Sequence, residues 1–282
     1  MERAVIETGR MTPWVARGLH ELGVAIVCIE AHQNLKAMKA NKTDPHDAAG
    51  LAQPARTGFY KEVHVKSPVA HGVRSAITAR AHLVEARVRL DNAIRASVPP
   101  SGSGRELVRA SGSSRVRAAI AVPGLGEAVA SLLRARTGLV DEIRQMDREL
   151  KAISVASPAC QALMNIPGVG MQTSAAFAAA VDDAGRFKPS RTAGAYFGLV
   201  PRRHQSGELD WTGRITKQGD GTIRKLLHEA ANSILTRTRQ SLALKSWALR
   251  IAKRRGLKKA RVARRFAVIM HVMLRDGTLF EA

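Results

Sequence analysis

The longest regular pattern in the chain runs through its middle third, and it leaves few folds open. From Pro68 to Val98 the residues read as one helix, with Leu83, Leu90 and Ile94 on a single stripe, until "PPSGSG" (Pro99 to Gly104) breaks it. Beyond the break, Leu139, Ile143, Met146, Leu150 and Ile153 recur at alternating steps of four and three, a heptad seam. Two long amphipathic helices joined by a breaker predict an antiparallel helical hairpin, with an intermolecular coiled coil as the alternative. The flanks differ in character. Ahead of the pair, "RAVIE" and "VAIVCIE" read as short buried strands around a helix "TPWVARGLHELG" stopped by Gly23, and "KEVHVKS" predicts a further strand. Behind it, Leu244, Trp247 and Ile251 mark one amphipathic helix, and Val262, Phe266, Ile269 and Met273 mark another, with Gly256 between them.

Charge narrows the partner. The 282 residues carry 45 Lys and Arg against 23 Asp and Glu, a formal charge of +22 that points to a polyanion. Residues 231–275 hold 13 Lys or Arg and no acid. A solvated face normally mixes signs, so this one is expected to contact phosphate, through Lys253, Arg254, Arg255, Lys258 and Lys259 among others. A membrane surface is the weaker alternative. The apolar runs are too short to span a bilayer, and "MERAVIETGR" lacks the apolar core of a signal peptide, so the chain is expected in the cytoplasm. Cys28 and Cys160 have neither disulfide nor metal-ligand spacing and are expected as reduced thiols.

Three local patterns could carry chemistry, and each has a plain structural reading beside it. "AVPGLGEAVASLL" and "NIPGVGMQTSAAF" share a spelling that resembles the turn of a helix-hairpin-helix, whose backbone N–H groups can hold a DNA phosphate, with Gly168 and Gly170 as the candidate positions. The same spelling also ends ordinary helices. In "NKTDPHDAAGLA", a helix starting near Asp44 brings Asp44 and Asp47 onto one face, where they could share a divalent cation; equally, Asp44 could be an N-cap with Asp47 set against the helix dipole. Ser206 in "HQSG" has Arg202, Arg203 and His204 before it and Arg214, Lys217 and Arg224 after it. A serine becomes a phosphoryl nucleophile only where its proton can leave or cations stabilise the transition state. Taken alone, Ser-Gly is a turn.

Together "IETG", "CIEAHQNLKAMKANKTDPHDAAGLA", "LMNIPGVG" and "YFGLVPRRHQSGELDWTGRITKQGDGTIRKLLHEAA", followed by the basic "ALKSWALRIAKRRGLKKARVA", resemble the DEDD-type transposases of the insertion sequence 110 family, relatives of the pilin gene inverting recombinase. The resemblance runs from Val5 to the C-terminus. It implies a partial ribonuclease H-like α/β domain at residues 1–66, a helical coiled-coil region at 67–155 and a mainly α C-terminal transposase domain at 156–282. It further implies that Glu7, Asp44 and Asp47 are the second, third and fourth acids of a Mg²⁺ or Mn²⁺ site, and that Ser206 is the nucleophile. The two would act in one composite site on DNA, in a homo-oligomer directed by a structured guide RNA. The family's first acid lies on a strand well ahead of the glutamate, so with Glu7 near its start this sequence is expected to be an N-terminally truncated copy. Two rival functions follow: an inactive copy that only binds nucleic acid, and a metal-only structure-specific nuclease.

Overall fold

Alternation is absent from the first strand, Ala4–Glu7 (β1), and from the second, Ile26–Ile29 (β2), because both are short apolar runs suited to a covered sheet. In the computed structural model, which describes residues 3–30, 44–97, 124–238, 243–255 and 259–281, with backbone only at 44–47, 252, 254–255 and 259, these strands pair in parallel, Ala4 opposite Ile26 and Glu7 opposite Ile29. A parallel pair needs a crossover, supplied by helix Thr12–Glu21 (α1). It opens with Pro13, and beyond its end Gly23 takes a left-handed φ of +75°. Cys28 and Ile29 are buried. The strand expected at 61–67 is reduced to one antiparallel bridge, Ile29 to Glu62, reinforced by Val63 N–H donating to the Cys28 carbonyl (2.8 Å). Helix Asp44–Thr57 (α2) packs on β1.

Residues 1–68 form one compact unit and 69–282 a second. The second opens with the long helices Pro68–Ser97 (α3) and Leu125–Ala156 (α4). Arg80 on α3 binds Asp147 on α4 (2.6 Å), and Asp91 on α3 binds Arg136 on α4 (2.6 Å). The second pair lies eleven residues further along α3 and eleven back along α4, which fixes an antiparallel pairing within one chain. Ile143 and Leu150 of the heptad seam are buried, and so is Ile94 of the facing stripe.

Around the end of this pair sits the main core. Helices Pro158–Met164 (α5), Met171–Val181 (α6), Gly221–Thr236 (α8), Ala243–Arg255 (α9) and Lys259–Asp276 (α10) contribute to it, and the short helix Arg191–Tyr196 (α7) packs on α10. The alanine-rich α6 is buried around most of its circumference, because small side chains let neighbouring helices approach it closely. The stripe read from the sequence on α10 points inward, with Val262, Phe266 and Met273 buried, and Leu244 does the same on α9. Mixed α/β and mostly helical is therefore the architecture. The remaining strands, Pro201–Ser206 (β3) and Leu209–Ile215 (β4), form an antiparallel hairpin that the helical reading of this region did not foresee.

Both thiols are buried, and burial pushes each above the ordinary thiol range, with Glu62 adding to the effect at Cys28. Thiols held protonated in this way are poor nucleophiles.

Candidate functional site

The β3–β4 hairpin is built to hold its tip out and its base still. Ser206 pairs with Leu209 across a two-residue loop, Gly207–Glu208. Gly207 has φ +55° while Glu208 does not share the positive φ, the pattern of a type II′ turn that suits the twist of a hairpin. Every residue from Pro201 to Asp210 is exposed, so the Ser206 hydroxyl faces solvent. Among the described residues its Oγ has no hydrogen-bond partner.

At the base, two loops press backbone on backbone. Gly198 (φ +65°) and Gly219 (φ +73°) leave no room for a side chain: a Cβ on the first would stand 2.2 Å from the Gln218 carbonyl oxygen, and one on the second 2.2 Å from that of Tyr196. Thr216 N–H donates to the Val200 carbonyl (2.9 Å) and Lys217 N–H to that of Gly198 (3.1 Å). Arg224 on α8 closes the arrangement by donating to the carbonyls of Phe197 (3.1 Å) and Gln218 (2.7 Å). Asp220 caps α8 through the N–H groups of Thr222 and Ile223 and pairs with Arg74 on α3 (2.9 Å). Arg224, a phosphate ligand by sequence, is thus engaged in holding this loop pair.

The two faces of the hairpin differ. On one, Arg203 makes a two-pronged pair with Asp210 (2.9 and 2.6 Å), which holds the Asp210 carboxyl below the usual range and commits the guanidinium. On the other stand Ser206, Leu209, His204 and Trp211, since directly opposed residues share a face and the pairs are Ser206 with Leu209 and His204 with Trp211. Nearer the base, Gly213 and Arg214 together oppose Arg202, an extra residue that bends the ladder. Arg202, Arg214 and Lys217 are all exposed. Sequence reasoning named His204 only as a neighbour of Ser206 and did not name Trp211; their signal, an aromatic and a histidine either side of a Ser-Gly turn, has meaning only once the register is known.

The "PGxG" turns diverge. Gly168 (φ +91°) sits against α8, where a Cβ would come 3.0 Å from the Ala230 carbonyl oxygen. Gly170 is the N-cap of α6. In the other copy Gly124 (φ +79°) is the N-cap and Gly126 lies buried inside α4. Near the start of α6, Gln172 donates to Asp147, so a carboxylate already lies there.

In the first unit Glu7 ends β1 and is exposed, with no ion-pair partner among the described residues. Arg3, just ahead of β1, donates to the Tyr60 hydroxyl (3.2 Å), three residues past the end of α2, and a cleft between β1 and α2 is lined by Arg3, Val5, Ala48, Leu51, Ala55 and Arg56. α2 packs on β1, with Asp44 and Asp47 in its first turn. The side chains of Asp44 and Asp47 lie outside the described residues. Among those described, no group of three His, Cys, Asp or Glu is placed to hold a metal.

On the basic helices Lys253 is exposed, as are Arg250, Arg261 and Arg265, and none of the four has an ion-pair partner among the described residues. Arg254, Arg255 and Lys259 are described in backbone only, and Lys258 lies outside the described residues.

Known proteins place this arrangement. A profile of the IS116/IS110/IS902 transposase family matches residues 160–246, from α5 through the hairpin to the start of α9. The chain is 31% identical over 253 residues to a Coxiella burnetii protein named as the transposase for insertion sequence element IS1111A, covering 86% of this chain and 68% of that one. It belongs to the IS116/IS110/IS902 transposase family. A probable family 20 transposase of Pseudomonas aeruginosa is 30% identical, covering 78% of this chain and 67% of its own length. The transposase for IS1328 of Yersinia enterocolitica is 26% identical across 95% of this chain and 82% of that one. In this transposase-family chain the hairpin carrying Ser206 lies within the segment that the family profile matches. No helix among the described residues is long and apolar enough to cross a membrane.

Proposed function

We propose that the protein is the transposase of an insertion sequence, which cuts and rejoins DNA with Ser206 as nucleophile, directed by a structured RNA of its element and assembled from more than one copy. The observation that carries this reading is the position of Ser206, exposed at the tip of a hairpin whose base is locked, inside the family-matched segment. In the proposed step Ser206 Oγ forms a bond to a DNA phosphorus, a P–O bond to one sugar breaks, the serine proton leaves and the sugar oxygen gains one. Rejoining is the reverse attack by a sugar hydroxyl. Arg202, Arg214 and Lys217, exposed near the hairpin base, provide cations for the phosphate, whereas Arg203 is already neutralised by Asp210.

Glu7, Asp44 and Asp47 would hold a divalent cation. The donor set fits: carboxylate oxygens are what Mg²⁺ and Mn²⁺ take, and Glu7 is exposed at the end of β1 without an ion-pair partner among the described residues, in the same compact unit as the two aspartates of α2. Such an ion supplies Lewis-acid polarisation of phosphoryl oxygens.

The test is a trapped adduct. Protein, guide RNA and DNA spanning the element's end are mixed, denatured and mapped by mass spectrometry. A phosphoserine-linked peptide containing Ser206 is expected, lost in Ser206→Ala and retained in Thr212→Ala. An adduct mapped to any other residue overturns the assignment. A second reading, binding without cutting, draws on the lack of a hydrogen-bond partner for Ser206 Oγ among the described residues; it expects nucleic-acid binding with no adduct under any condition.

A further inference from the structure

Beside the proposed nucleophile stands an aromatic ring with an open face. Trp211 is 54% exposed, and its indole stacks on the His204 imidazole with centroids 4.9 Å apart and planes 14° from parallel. Gly213 makes room for it, since a Cβ there would stand 2.7 Å from the indole Cζ3. The ring is therefore held upright by His204 on one side and by the missing side chain at Gly213 below. Its remaining surface, on one strand of a two-stranded sheet, is left to solvent. An exposed tryptophan held in one orientation pays little rotamer entropy when something stacks on it.

Register sets its distance from Ser206. Leu209 is directly opposite Ser206 and Trp211 is two residues along the same strand, so Trp211 is the diagonal neighbour of the serine, about 7–8 Å away on the same face. Leu209, 72% exposed, completes an apolar edge around the hydroxyl. A face that offers phosphate chemistry at one position and a flat apolar ring at the next matches a nucleotide whose phosphate is engaged while its base is out of the helix stack. Exposed Arg202 and Arg214 near the hairpin base supply the charge complementarity.

We propose that Trp211 is a stacking platform for an unpaired nucleobase next to the phosphate presented to Ser206, so that the hairpin takes DNA with a locally opened strand in preference to continuous duplex. This rests on the reading of the chain as a DNA-cutting transposase. The role is one of binding and positioning: the indole transfers no proton and forms no bond.

The experiment uses the full chain and two fluorescent duplexes of equal length, one with a single unpaired 2-aminopurine and one with it paired. Stacking on Trp211 is expected to quench the unpaired probe and to favour that duplex about 5- to 150-fold. Trp211→Ala should abolish both the quenching and the preference while leaving affinity for the paired duplex and the melting temperature unchanged. Trp211→Phe should restore part of each. Equal preference in the wild type and Trp211→Ala overturns the platform. So does a concentration-dependent mass in sedimentation that falls in Trp211→Ala with no change in DNA preference, because the ring then faces a second copy of the chain. A Ser206 adduct forming normally while this preference is absent removes the platform and leaves the serine chemistry standing; the preference without an adduct does the reverse.

Discussion

Gly198 and Gly219 show how a single missing side chain can position a functional group many residues away. Both have φ in the left-handed region, and at both a Cβ would meet backbone at 2.2 Å, an obstruction that no rotamer change relieves. Gly207, at the hairpin tip, shares the positive φ (+55°) but faces open space. The three substitutions should therefore separate. Gly198→Ala or Gly219→Ala combines backbone strain with overpacking and is expected to cost about 2–5 kcal/mol in urea denaturation. Gly207→Ala carries the strain alone, about 1 kcal/mol. Equal costs at all three would mean that the base of the hairpin yields more readily than its packing implies. None of this is written in "YFG" or "KQGDG" alone, because each glycine is required by the other loop. The Ser-Gly turn, by contrast, is local chemistry, and its place at Ser206–Gly207 was legible in the sequence.

At the scale of elements, what the sequence reveals depends on whether an element has a buried side. The α3 and α4 helices, and α10 after them, each bury one stripe, so their period shows in the residues, as at Ile143, Leu150 and Phe266. The β3–β4 hairpin is exposed on both faces along most of its length, so "PRRHQS" and "LDWTGRI" show no alternation and read as loop. The strand read in "KEVHVKS" failed for a related reason: apolar Val63 and Val65 alternate as in a strand, yet the segment makes only one bridge to β2. For α3 and α4 the heptad seam predicted a hairpin and left an intermolecular coiled coil as the alternative. The ion pairs decide it, and they differ in burial. Asp91, 6% exposed, lies between Arg136 (2.6 Å) and Arg87 (3.8 Å), whereas the Asp147 side chain is 32% exposed. Asp91→Ala leaves cationic groups facing a buried gap and is expected to cost about 2–4 kcal/mol. Asp147→Ala, where water can substitute, should cost about 1 kcal/mol. Chemical denaturation of the two variants checks the order, and its reversal would mean that the Arg80 end carries the hairpin.

Over the whole molecule the charge is unevenly divided. Residues 1–68 hold nine Lys and Arg against seven Asp and Glu, which leaves 36 against 16 in residues 69–282. The nearly neutral unit contains the three candidate metal ligands, and the strongly basic one contains the hairpin and the acid-free run at 231–275. Nucleic-acid affinity should accordingly belong to the second unit and be electrostatic in origin. If binding neutralises about six to ten phosphates, log K against log salt should have a slope of roughly −5 to −9, and affinity should fall about 10³- to 10⁵-fold between ~50 and ~200 mM salt. Arg261 and Arg265, exposed one turn apart on α10, are the sharpest probes because the helix that carries them is anchored by the buried Val262 and Phe266. Arg261→Ala and Arg265→Ala should each reduce the magnitude of the slope by about one and weaken every DNA sequence alike, since phosphate contacts carry no base information. Arg56→Ala, at an exposed residue of α2 in the first unit, should leave the slope unchanged. Fluorescence anisotropy across a salt series measures all four proteins. Binding indifferent to salt, or a slope that moves with Arg56 and not with Arg261 or Arg265, would remove the basic helices from the nucleic-acid surface.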